Sequence, residues 1–135
     1  DFAEAIRASR GTSRPPEAGH VLSIDTGESR SVTLSQAPRS TLVAGVYSTQ
    51  PGFVGSKPEH RLDDPGYVPL AVVGIVPCKV TNENGSIEAG DLLVSSSVPG
   101  RAMAAESAEP GTLIGKALEP MKGAEDKIRI LLSLQ

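Results

Sequence analysis

Apolar residues recur along this chain mostly with a period of two, and hardly anywhere with the 3.6 spacing of an amphipathic helix. The alternation predicts strands over His20–Asp25, Ser31–Ser35, Thr41–Ser48, Leu70–Thr81, Asp91–Ser97, Arg101–Ala105, Thr112–Glu119 and Lys127–Leu134. Turn chemistry separates them at Asp25-Thr26-Gly27, Pro51-Gly52, Asp64-Pro65-Gly66, Asn84-Gly85, Pro99-Gly100, Pro110-Gly111 and Lys122-Gly123. Short strands at this spacing predict an all-β sandwich or barrel-like fold, in one domain over residues 1–135. Ala102–Glu109 is the one stretch where a helical turn competes. Residues 50–69, dense in Pro, Gly and charge, read as a long loop and a candidate contact surface.

The chain also resembles itself. Glu17-Ala18-Gly19-His20-Val21-Leu22 matches Glu88-Ala89-Gly90-Asp91-Leu92-Leu93, 71 positions later. At the same offset Arg30 falls on Arg101, and Thr41-Leu42-Val43-Ala44 on Thr112-Leu113-Ile114-Gly115, without a gap. Residues 16–47 and 87–118 are therefore candidate repeats. One such turn–strand–turn–strand unit leaves an apolar face exposed, and two packed units bury it.

Composition narrows the picture. The chain has 14 glycines and 11 prolines but only four aromatics, Phe2, Tyr47, Phe53 and Tyr67, so Val, Leu, Ile and Ala must build the core. A net charge of −3 gives no basic footprint for nucleic acid. No apolar run approaches the ~20 residues that span a bilayer, and no signal segment is read, so a membrane partner is not expected. The single cysteine, Cys78, allows no intrachain disulfide, and its setting in Val76-Pro77-Cys78-Lys79-Val80 predicts a buried strand thiol rather than a nucleophile.

Few residues suggest chemistry. Asp25-Thr26-Gly27 after Val21-Leu22 resembles the active-site loop of retropepsin-like aspartic proteases, in which two carboxylates share a proton across a dimer, although Glu28 stands where a small residue is expected. Glu59-His60-Arg61-Leu62-Asp63-Asp64 gathers one imidazole and three carboxylates, which in a Pro-flanked segment reads as a solvated turn rather than a metal site. His20 reads as a turn or surface residue. No phosphate loop, nucleophile elbow or paired-cysteine motif is present, and no cofactor or metal is expected. Asp1 and Glu4 are the sharper pair. They face opposite sides of a strand but can meet in a turn or a helical start, and a carboxylate near a scissile bond can act as a general base.

A family resemblance runs through Asp1-Phe2-Ala3-Glu4, Gly19-His20-Val21-Leu22-Ser23-Ile24 and Val43-Ala44-Gly45-Val46-Tyr47-Ser48-Thr49-Gln50-Pro51-Gly52. These segments resemble the C-terminal domain of phage neck appendages and tail fibres, the autoproteolytic intramolecular-chaperone domain of the G2 peptidase type. The second half, from Val76 through Gly90-Asp91-Leu92-Leu93-Val94 to Ile114-Gly115-Lys116-Ala117-Leu118-Glu119, is similar to C-terminal modules of bacterial fibre-like surface proteins and loosely similar to capsid-decoration domains. The resemblance implies a homotrimer that helps the upstream fibre segment of the same protein assemble and then severs its own link before the Asp. Carried over, Asp1 is the new N-terminal residue and Glu4 the acid assisting cleavage, so that any enzymatic act is a single turnover. It further implies a virion or extracellular fibre location. A decoration or surface-binding module that never cleaves itself is the alternative, with the retropepsin-like reading around Asp25 as a third.

Overall fold

The computed structural model describes residues 1–11, 14–48, 53–54 and 64–135. Those residues contain ten strands and no helix: β1 (Phe2–Ala8), β2 (Val21–Ile24), β3 (Ser31–Leu34), β4 (Val43–Tyr47), β5 (Phe53–Val54), β6 (Tyr67–Thr81), β7 (Leu92–Ser95), β8 (Ala102–Ala105), β9 (Gly115–Ala117) and β10 (Glu125–Ser133). The fold is all-β and barrel-like. Ala102–Glu109 resolves its ambiguity as strand β8 followed by a turn. Within residues 50–69, Phe53–Val54 and the start of β6 are strand; positions 50–52 and 55–63 lie outside the described residues.

β6 is the spine of the molecule. Its first half pairs with β1 and β4, and β4–β2–β3–β1 closes a circuit of five strands. Its second half pairs with β8 and β10, and β8–β7–β9–β10 closes a second circuit of five. Each circuit contains one parallel contact, β1–β3 in the first and β6–β8 in the second, and is otherwise antiparallel. Shifted by 71 positions, β2 lands on β7 and β3 on β8 over their full lengths, and β4 overlaps β9.

The alternation of β6 explains how one strand serves two circuits. Val68, Leu70 and Val72 join a cluster with Ile6, Ala8, Leu22, Val32, Leu34, Ala44 and Tyr47, drawn from all five strands of the first circuit. Val76, Cys78 and Val80 join a larger cluster with Leu93, Ile114, Ile128, Ile130 and Leu132. These are all even positions of β6, but its opposite face is buried too at Ala71, which joins the larger cluster with Ala3, Val21 and Val46 of the first circuit. The changeover falls at Gly74, whose φ of 121° is in the region that favours glycine. A Cβ there would lie 2.6 Å from the Cα of Asp1. Next to it the β1–β6 register slips between Phe2 and Ala3, a bulge that lets the strand bend from one circuit into the other. Pro77 sits where β6 pairs with β10 and before its single β8 pair at Val80, so its missing N–H removes little from the ladder.

His20 corrects the surface assignment made from sequence. It is 1% exposed, at the seam between the circuits. The chain around it is tied to both: Val21 N–H donates to the Gly100 carbonyl, Tyr47 N–H to the His20 carbonyl, and Lys79 N–H to the Gly19 carbonyl. The ring packs on Gly100, and its Nδ1 accepts from Glu17 N–H at 2.9 Å. Burial, aided by the positive charges of Lys79, Arg14 and Arg101 against the opposing pull of Glu17, lowers its pKa from 6.5 to about 4.

Two tests follow from this packing. A Cβ on Gly115 would overlap the backbone carbonyl of Leu131 on the paired strand, where nothing flexible can yield; Gly115→Ala should cost about 2 kcal/mol or more in chemical unfolding. Gly11→Ala, where a Cβ meets nothing within 4 Å, should stay within about 0.5 kcal/mol. For His20, the unfolded chain takes up its proton near pH 6.5 and the folded chain only near pH 4. Its contribution is thus complete above pH 6.5 and is lost as pH falls toward 4, by at most about 3 kcal/mol. His20→Asn, which keeps an acceptor for Glu17 N–H, should flatten urea midpoints between pH 6.5 and 4.5; an unchanged slope would refute the assignment.

Candidate functional site

The sequence Phe2-Ala3-Glu4-Ala5-Ile6-Arg7-Ala8 is rich in good helix formers. It is a strand because both its edges are occupied: β6 runs antiparallel to it from Phe2 to Arg7, while β5 and β3 add parallel pairs on the other side. Ala3 and Ala5 are buried, and Phe2, Glu4 and Ile6 are partly exposed, the alternation a strand imposes. Asp1 precedes the strand and packs on Gly74. Its Oδ2 accepts a 2.6 Å hydrogen bond from the Oγ of Ser48, a serine only 2% exposed.

Glu4 has different surroundings. It lines an open depression of about 510 Å³ with Arg7, Ser29, Arg30 and Tyr67. The Arg7 guanidinium lies 4.9 Å from the centroid of the Tyr67 ring and its Nη2 donates to the Tyr67 hydroxyl at 3.4 Å. Arg30, which ends the β2–β3 turn, adopts φ 57°, a left-handed conformation that is uncommon for a side chain of this size. Asp1 and Glu4 thus carry separate polar environments, one built around Ser48 and one around arginine and tyrosine.

Ser48 gave no local signal, because it stands 47 positions from Asp1 and reaches it only through the closure of the first circuit. Arg30 did carry one, through its alignment with Arg101. Each directly precedes the second strand of its candidate repeat, but they behave differently. The Arg101 Nη1 donates to the carbonyls of Val80 and Asp126, and its Nη2 lies 3.4 Å from the Glu125 carboxylate, closing a seam between β6, β8 and β10. Arg30 lines the depression instead.

The remaining nominations settle as follows. Asp25 caps its own turn, with Oδ1 accepting from Gly27 N–H at 2.8 Å. Hydrogen bonds from the Ser9 hydroxyl and the Gly27 amide hold its carboxyl below the usual range, which is the behaviour of a locally solvated Asx turn. Its neighbour Glu28 is lowered in the same way, first by the Ser31 hydroxyl and then by Arg10 N–H. Cys78 is wholly buried, and burial pushes its thiol up to about 12. Of the Glu59–Asp64 cluster only Asp64 is described, and its Oδ1 accepts from Gly66 N–H. Among the described residues no three His, Cys, Asp or Glu side chains converge as metal ligands, and no helix is long and apolar enough to cross a membrane.

Comparison with known proteins adds little to this geometry. No family model matches the chain, and no curated protein matches it. Among solved structures, the N base of head fibre gp8.5 of bacteriophage phi29 is similar over 98% of this chain and 88% of that one, at 18% identity and a TM-score of 0.46. A likeness of that size carries no inference about activity.

Proposed function

We propose that this chain is a structural and assembly domain of a phage-type tail fibre or neck appendage, an intramolecular-chaperone-like module that works as a homotrimer on the upstream fibre segment of its own protein. Its place is the virion or another extracellular fibre. Its one chemical act is self-cleavage before Asp1: water adds to the carbonyl of the preceding residue, the C–N bond breaks, and the Asp1 amine takes the proton. Glu4 is the assisting acid. The 71-residue correspondence between positions 16–47 and 87–118 we read as a duplicated unit.

The observation that carries this reading is that the Asp1-Phe2-Ala3-Glu4 motif is a fixed part of the first circuit. Asp1 is held by Ser48 and Gly74, and the strand after it is paired on both edges. A scissile bond must be held in one geometry to be cut, and the fixed position of Asp1 is what supports the reading. The two groups with large pKa displacements, His20 and Cys78, are core residues rather than members of a depression, which favours a structural body over a turnover enzyme.

Intact mass of a longer chain carrying its natural residues upstream of Asp1 tests the proposal. The expected result is a product beginning at Asp1, and full-length chain when Glu4 is changed to Gln. If the full-length species persists in both, self-cleavage is wrong and the non-cleaving decoration module takes its place.

A further inference from the structure

Among the described residues, four of the six large apolar side chains most exposed to solvent lie together on one outer sheet face: Val73 and Ile75 of β6, Leu131 of β10, and Leu118 just beyond β9. Their exposures run from 42% to 57%. Ile75 and Leu131 are direct cross-strand partners, Leu131 also pairs with Lys116, and Leu118 N–H donates to the Arg129 carbonyl. Val73 continues the strip to its partner Phe2 on β1. The strip therefore crosses four adjacent strands at the waist where the two circuits join. Ile24 and Leu42, the other two exposed apolar residues, neighbour each other elsewhere.

We infer that this face is the surface through which copies of the chain associate. It rests on the homotrimer reading above and adds where the contact lies. Half-exposed, the four side chains present roughly 300 Å² of apolar surface, the size of a monomer's largest patch, which is often functional, and enough for the dry centre of a contact burying about 800 Å² per partner. The depression beside Glu4 is lined by other residues.

Charge on the rim favours a second copy as the occupant. The exposed Lys116, Lys127 and Arg129 stand beside the exposed Glu119 and Glu125, with Glu119 accepting from Arg129 N–H, so the rim of the strip carries both signs. A second copy brings the same mixed rim, so that basic positions of one copy can face acidic positions of the next.

Sedimentation velocity and native mass spectrometry of the intact domain between 1 and about 100 µM test this, comparing the wild type with Ile75→Lys/Leu131→Lys and with the milder Leu131→Ser. The wild type should associate. The double variant should raise the dissociation constant at least about 100-fold, and Leu131→Ser should raise it less, with circular dichroism and melting temperature unchanged because the side chains already face solvent. Association that survives both variants places the interface elsewhere and leaves the trimer reading standing. A two-copy complex that the variants dissolve keeps the face and sinks the trimer. A wild type that stays monomeric at about 100 µM overturns both.

Discussion

The structure depends on the continuity of one strand. β6 runs for 15 residues and supplies the closing edge of both five-stranded circuits, so neither circuit has a complete hydrogen-bonded ring without it. It feeds both hydrophobic clusters: Val68, Leu70 and Val72 enter one, while Ala71 on the opposite face and Val76, Cys78 and Val80 beyond Gly74 enter the other. A short strand exposes unpaired N–H and C=O groups along its edges, and closure is the way small all-β bodies avoid that exposure. Here two closures share a wall. The remaining features follow from it, since the bulge beside Phe2, the packing of Asp1 on Gly74 and the seam at His20 all lie where one circuit gives way to the other.

That sharing also sets the chemistry. Asp1 is held in place because β1 must dock along β6 to close the first circuit. His20 is stripped of water because the first circuit packs against the second there. Its neutral imidazole is a consequence of assembly within one chain, and protonating it works against the seam. The apolar strip of Val73, Ile75, Leu131 and Leu118 lies on the outer side of the same wall, so the element that organises the interior also presents the broadest unsatisfied apolar surface.

Much of this was legible in the sequence. Period-two alternation located β2, β3, β4, the greater part of β6, and β7 through β10; Val, Leu or Ile mark most of them, while β8 and β9 are built from Ala, Met, Gly and Lys. At an offset of 71 the bounds of β2 and β3 fall on those of β7 and β8. β1 was not assigned as a strand: its Ala, Glu and Arg favour a helix locally, and only pairing to β6, about 70 residues away along the chain, decides otherwise. β5 is two residues long and carries no periodicity. His20 looked like a turn residue because its neighbours Gly19 and Glu17 are turn-like; its burial comes from Gly100, brought in by the second circuit. Asp1 and Glu4 stood out by type, but Ser48, Arg30 and Tyr67 are brought beside them by long-range pairing that no local pattern encodes.

The central claim is that β6 makes the two circuits one cooperative body. Native-state hydrogen exchange of the β6 amides addresses it directly. The account predicts that the amides of Val68–Val72 and those of Val76–Val80 exchange with the same free energy, equal to that of global unfolding. If the first set exchanges with a clearly smaller free energy while the second stays protected, the circuits open independently and the shared strand is a tether rather than a common wall.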